Sequence, residues 1–196
     1  MNSRMAEKTP RQRIVEAARA LFDAKGFHST PVADLAKAAE VSVGQIYRHF
    51  PGKDDIITAI VAEDVQARLD EMNIIFAEVE AGRTSVLDAI RALARIAIVN
   101  NNSGLLYEIL AECYRNPRVA EKVDTLVLPY RDGIGRLTAL VRPDLDGAEQ
   151  EGYTDVILAC FFGLGHRTLK SHHQDIEQAS DLTAQLIMRA LRCPAG

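Results

Sequence analysis

Apolar residues recur along this chain at helical spacing almost throughout, and no stretch alternates with the period of two that a half-buried strand requires. Ile14, Ala17, Ala18, Leu21 and Phe22 fall at the i, i+3, i+4, i+7 and i+8 positions of one face. They predict a first helix over residues 10–25, ended by Gly26, which accepts positive φ cheaply. Val32, Leu35, Ala36 and Ala39 mark a second over 31–39, with Thr30 as a hydroxyl N-cap and Pro31 in the first turn. Glu40-Val41-Ser42 is a short connection, Ser42 is placed to cap a third helix over 43–50, and Pro51-Gly52 stops it sharply.

The rest reads as a helical body. A long helix starts near Lys53, carries Ile56, Ile57, Ile60, Val61, Leu69, Met72 and Phe76, and breaks at Gly82. Ser85 caps a fifth over 86–99, Asn100-Asn101-Asn102-Ser103-Gly104 is a loop, and a sixth covers 105–115. Asn116-Pro117 opens a seventh that ends at Arg142-Pro143; an eighth runs from after Asp146 to about 171, and the last spans about 180–192. No internal repeat or low-complexity tract interrupts the pattern.

Two short helices joined by a tight turn form a helix-turn-helix, whose second helix enters the major groove of DNA. That helix must be short, because the groove is only about 12 Å wide. It needs one apolar face for its own domain and an opposite face of small or hydrogen-bonding side chains. In residues 42–50, SVGQIYRHF, the apolar side is Val43, Ile46 and Phe50, while Gln45, Arg48 and His49 fall opposite. Glutamine pairs bidentately with adenine and arginine with guanine. Gly44 lets backbone approach closely, Tyr47 lies at the border with its hydroxyl available to a phosphate, and Lys53 with the amides opening the next helix offers a second phosphate-binding corner.

Charge changes the picture only once the 196-residue chain is divided. The formal net charge of −4 looks wrong for a nucleic-acid binder. Residues 1–53, however, hold nine Lys and Arg against five Asp and Glu, net +4, whereas residues 54–196 hold 14 against 22, net −8. A basic head on an acidic body is the asymmetry that draws one end of a molecule to phosphate. Cys113, Cys160 and Cys193 have no metal-ligand spacing, and their odd number argues against a secreted disulfide framework. His166 and His172 are six apart and share no helical face, so with His173 they read as a solvated helix end. No phosphate loop, dinucleotide fingerprint or catalytic spacing occurs, so neither an enzyme, a cofactor nor a metal is expected. No run of 18 apolar residues and no apolar leader core is present; the expectation is a cytoplasmic protein without a membrane partner.

These residues carry a resemblance. Residues 11–57 resemble the DNA-binding domain of the TetR repressors through Arg13-Ile14, Ala17-Ala18, Leu21-Phe22, Gly26, Thr30, Val32, Leu35-Ala36, Ala39, Val41-Ser42, Gly44, Ile46-Tyr47, His49-Phe50 and Lys53. The resemblance implies an all-α protein: an N-terminal three-helix helix-turn-helix domain over 8–68, with the motif at 31–50, plus a C-terminal helical ligand-binding and dimerisation domain over 69–196. It implies operator DNA as a partner, with Thr30, Ser42, Gly44, Gln45, Tyr47, Arg48, His49 and Lys53 at the contact, and a homodimer through the last two long helices. It further implies a small-molecule effector that releases the DNA, bound among the middle helices, where Phe76, Tyr107, Glu108, Cys113, Tyr114 and Tyr130 are the candidate lining. Two positions depart from the family pattern. Glu40 stands where the turn usually has glycine, so a residue with a Cβ is expected in the left-handed region, and Ala33 replaces a frequent arginine. The competing reading is an all-helical ligand-binding protein or enzyme whose N-terminal helices merely pack.

Overall fold

In a computed structural model the described residues are 8–100, 104–165 and 175–192, and among them every regular element is an α-helix. They divide into two compact units. Where the sequence draws one boundary after residue 68, the units interleave: the first takes Met1–Asp64 and Ser103–Leu126, the second Val65–Asn102 and Val127–Gly196.

The first unit is built on α1 (Pro10–Lys25), which opens with Thr9 and Gln12 capping each other reciprocally and closes at Gly26, φ 85°. It buries Ile14, Val15, Ala18 and Phe22 along one stripe. Packed on it are α2 (Val32–Ala38), α3 (Val43–His49) and the first part of α4 (Lys53–Glu80), whose Ile56, Ile57 and Ile60 are fully buried. The same unit holds α6 (Gly104–Arg115) and the start of α7 (Pro117–Val141). The reason α6 joins the head is polar as much as apolar. Besides burying Leu105 and Ile109, it meets α1 through exchanged backbone caps: Leu105 N–H donates to Asp23 Oδ1 at 2.8 Å, and Phe27 N–H donates to Glu108 Oε2 at 2.9 Å.

The second unit centres on α5 (Val86–Asn100), whose Ala89, Ile90, Leu93, Ala94 and Ala97 pack against α8 (Gly147–Gly165) and α9 (Ile176–Arg192). Met72 and Phe76 of α4 and Ile134 and Leu137 of α7 complete this core. Ser85 caps α5 as its sequence indicates, accepting from Asp88 N–H at 3.1 Å. Arg91 ties α5 to α9 by two donations to Asp181 Oδ1, at 2.9 and 2.6 Å. Two features escape the sequence pattern. The last helix begins at Ile176 rather than near 180, and Pro129 lies inside α7, where it brings no N–H to the helical ladder. The span expected to carry α8 on to 171, His166, His172 and His173 within it or just beyond, and Cys193 lie outside the described residues.

Candidate nucleic-acid interface

The turn between α2 and α3 is a Schellman motif made without glycine. Val41 N–H donates to Ala36 O at 3.0 Å and Glu40 N–H to Lys37 O at 3.3 Å, the paired bonds that close a helix on a left-handed residue. That residue is Glu40, at φ 53°, as its place in the sequence predicts. Arg13 Nη1 donates to the Glu40 carbonyl at 3.3 Å, tying the turn to α1.

Seven residues make α3 about 10 Å long, short enough to lie in a groove about 12 Å wide. Ser42 caps it, its Oγ accepting from Gln45 N–H at 3.1 Å while Ser42 N–H donates to Gln45 Oε1 at 2.8 Å. Ile46 and the C-cap Phe50 are the buried anchors, with the Arg11 guanidinium over the Phe50 ring. Val43 is not one of them, for it is 42% exposed. Side chains lean towards a helix N-terminus, so a first-turn residue overhangs the end, where nothing covers it. Gly44, Gln45, Tyr47, Arg48 and His49 are all exposed, Tyr47 by 53%. Nothing but the Ser42 hydroxyl, at 3.9 Å, would meet a Cβ at Gly44.

Three expected contacts take a different form here. Thr30 is fully buried; its hydroxyl donates to Gly26 O at 2.8 Å, so neither a phosphate nor the α2 cap receives it, and Pro31 is the N-cap instead. Gln45 has its amide oxygen engaged in the cap, which leaves only the Nε2 hydrogens for a base unless the cap opens. The corner at the start of α4 is already filled. Gly52 N–H donates to Asp55 Oδ2 at 3.0 Å, Asp55 pairs with Lys122 at 2.7 Å, and Lys53 Nζ donates inward to Phe27 O at 2.6 Å and Thr30 O at 2.9 Å. Burial pushes the Lys53 amine below the ordinary lysine range, with the Asp54 and Glu112 carboxylates acting the other way.

The six expected effector residues do not share one environment. Phe76 is core of the second unit, and Tyr130 is partly buried against that core; burial pushes its phenol above the ordinary range, with Arg68 acting the other way and Glu71 with it. In the first unit Tyr107 is exposed and Tyr114 is 92% exposed, which removes Tyr114 from any lining in this chain. Glu108 is spent on the Phe27 N–H, and Cys113 is a half-buried thiol raised by burial and by the Asp124 and Glu112 carboxylates. None of the six lines the open groove of about 570 Å³ in the first unit, which is formed by Arg11, His49, Phe50 and residues of α4 and α7. Sequence reasoning missed the role of Glu112. Its spacing of four from Glu108 puts both carboxylates on one face of α6, but the partners of that face are distant in the chain.

Residues 14–60 match the sequence model of bacterial regulatory proteins of the tetR family, over the helices just described. That stretch is a TetR-family DNA-binding domain. The HTH-type transcriptional regulator UidR of Escherichia coli K12 is 35% identical over 124 residues, 61% of this chain and 60% of that protein, so the match spans less than two thirds of the relative's length. The fatty acid degradation regulator FadR from Bacillus halodurans superposes with a TM-score of 0.76 at 20% identity, covering 95% of this chain and 98% of that one. FadR from Bacillus subtilis, solved in complex with stearoyl-CoA, gives 0.71 at 17% identity, covering 90% and 96%. All three are named as regulators. The two structural likenesses speak to the TetR fold.

Proposed function

We propose that this chain is a TetR-family, sequence-specific DNA-binding transcriptional regulator, a cytoplasmic repressor released from its operator by a small, largely apolar ligand. One observation carries the reading: α3 is a short helix with five consecutive or near-consecutive polar or small residues exposed and only Ile46 and Phe50 holding it down. A face so bare of partners, ending in Arg48 and His49 within an N-terminal stretch, residues 1–53, of net charge +4, suits a phosphate-lined groove. Arg48 is the base reader, Tyr47 and His49 hold phosphate, and Gly44 admits the backbone.

A second copy of the chain completes the operator-binding form. Val156 on α8 and Leu182 and Leu186 on α9 are large apolar side chains more than half exposed, and α8 touches α9. A two-fold dimer through these helices presents two reading heads to a palindrome with half-sites one helical turn apart or slightly more. The ligand class rests on the apolar core of the second unit, where Phe76 and Tyr130 remain the candidate contacts, and accords with the stearoyl-CoA held by the Bacillus subtilis FadR. Among the described residues no helix is long and apolar enough to cross a membrane.

Fluorescence anisotropy with duplex DNA from upstream of the protein's own gene tests the reading. Binding should weaken as salt rises, and Arg48→Ala should cost about 1–3 kcal/mol of discrimination, roughly 5- to 150-fold, with Tyr47→Ala weakening all sequences alike. Binding unchanged by both substitutions removes α3 from the interface. An acyl-CoA or fatty acid that raises the melting temperature and releases the duplex supports the ligand class; one that stabilises without releasing DNA counts against it.

A further inference from the structure

Lys53 sits at the edge of the reading head, yet its charge is turned inward. Its ammonium donates to the carbonyls of Phe27 and Thr30, at 2.6 and 2.9 Å, and lies 4.6 Å from the centre of the Phe27 ring. Two of its three N–H donors are therefore committed to the turn between α1 and α2. Across from that turn stands Glu112 of α6, only 4% exposed. Its Oε1 accepts from Asn116 Nδ2 at 3.2 Å. Its Oε2 lies 2.9 Å from His28 Nε2 without the alignment of a hydrogen bond, so that contact is one of charge and dipole rather than a shared proton. A carboxylate this buried is costly unless a cation or a polar group answers it; Lys53 is a cation its field reaches, and the His28 imidazole stands beside it. Glu108, one helical turn earlier on α6, accepts the Phe27 N–H. The turn is thus held at Phe27 N–H, Phe27 C=O, His28 and Thr30 C=O by two carboxylates and one lysine.

We propose that Lys53 and Glu112 form a positioning pair for DNA binding: the Lys53 ammonium staples the turn from which α2 rises instead of touching phosphate, and the buried Glu112 carboxylate, which faces the same turn at His28, adds to the counter-charge of Asp54. The proposal rests on the DNA-binding reading above. The chain of contacts runs from the turn to α2, from α2 through the Glu40 Schellman closure to Ser42, and so to the pose of α3. Movement of the turn re-aims Arg48 and Tyr47 together. A phosphate ligand would act differently, through one released counterion per contact.

The salt slope separates the two roles. The wild-type full-length chain first selects its preferred duplex from random-sequence DNA, and that duplex is the probe for wild type, Lys53→Met, Glu112→Gln and the double variant. Affinity is measured between about 50 and 200 mM salt, where each lost phosphate contact flattens the slope of log K against log salt by about 0.9. The pair predicts that each single variant loses roughly tenfold in affinity with the salt slope unchanged, and that the double variant is no worse than the weaker single. A flattened slope for Lys53→Met with full affinity in Glu112→Gln makes Lys53 a phosphate ligand and overturns the proposal, as do additive losses. Should Lys53→Met not fold, Lys53→Arg decides: it keeps the charge but not the fit between two carbonyls, so the pair predicts weakened binding and a phosphate role predicts retained binding. A wild-type chain that selects no duplex overturns the DNA-binding reading and the pair's role with it; any of the other failures leaves that reading standing.

Discussion

Glu40→Gly should make the reading head more stable and should do so through the backbone alone. Glu40 occupies φ 53°, where a Cβ crowds the following carbonyl at a cost of about 1–2 kcal/mol. Glycine removes that strain but loses more conformational freedom on folding, roughly 0.5–1 kcal/mol relative to alanine. The difference is a net gain of about 0.5–1 kcal/mol, or a melting temperature higher by about 1–4 °C for a chain of this size. No hydrogen bond is sacrificed, because the bonds at this position use its backbone: Glu40 N–H to Lys37 O and Arg13 Nη1 to Glu40 O. Glu40→Ala is the control, since it deletes the same carboxylate and keeps the Cβ. Thermal and urea unfolding followed by circular dichroism should place the glycine variant above wild type and the alanine variant level with it or below. A glycine variant no more stable than the alanine variant would refute the assignment of strain to this turn. Both substitutions also remove a negative charge near the interface, so both should raise DNA affinity by the same factor. A gain confined to glycine would mean that the turn geometry, not the charge, limits binding.

Gly133→Ala drives a Cβ into Met72 Cε and places it 2.7 Å from Met72 Sδ, and Met72 is buried in the second unit's core. Overpacking of about 1–3 kcal/mol outweighs alanine's helix propensity of up to about 1 kcal/mol, so the urea midpoint should fall by an amount worth about 1 kcal/mol; an unchanged or higher midpoint would show that Met72 swings aside freely. Leu182→Glu with Leu186→Glu should convert a sedimenting dimer to monomer and cut affinity for a palindromic duplex far more than for a single half-site. A dimer of unchanged strength would move the interface away from α9.

Local chemistry is what the sequence states directly. The limits of α1, the breaks at Gly26 and Gly82, the Ser42 and Ser85 caps and the left-handed Glu40 all follow from residues within a few positions of one another, because capping and helical periodicity are short-range. For the same reason Ile46 and Phe50 were legible as the anchored side of α3, while the overhang of Val43 depended on what lay above its first turn. The side chains that point elsewhere than the local pattern predicts share a physical cause. Whether Thr30 faces a phosphate or the Gly26 carbonyl, and whether Lys53 faces solvent or two carbonyls 23 and 26 residues away, depends on the packing of α1, α2 and α4.

The grouping of α6 with the head lies further still from local pattern. Asp23 meets Leu105 across 82 positions and Glu108 meets Phe27 across 81, separations at which chain composition carries no pairing information. The sequence by itself therefore determined that the described residues are helical, where their short helices start and stop, and which helix leaves a polar face exposed. Tertiary structure alone decided which polar side chains remain free to do so, because a buried donor or acceptor must find a partner and only the assembled fold says which one is within reach.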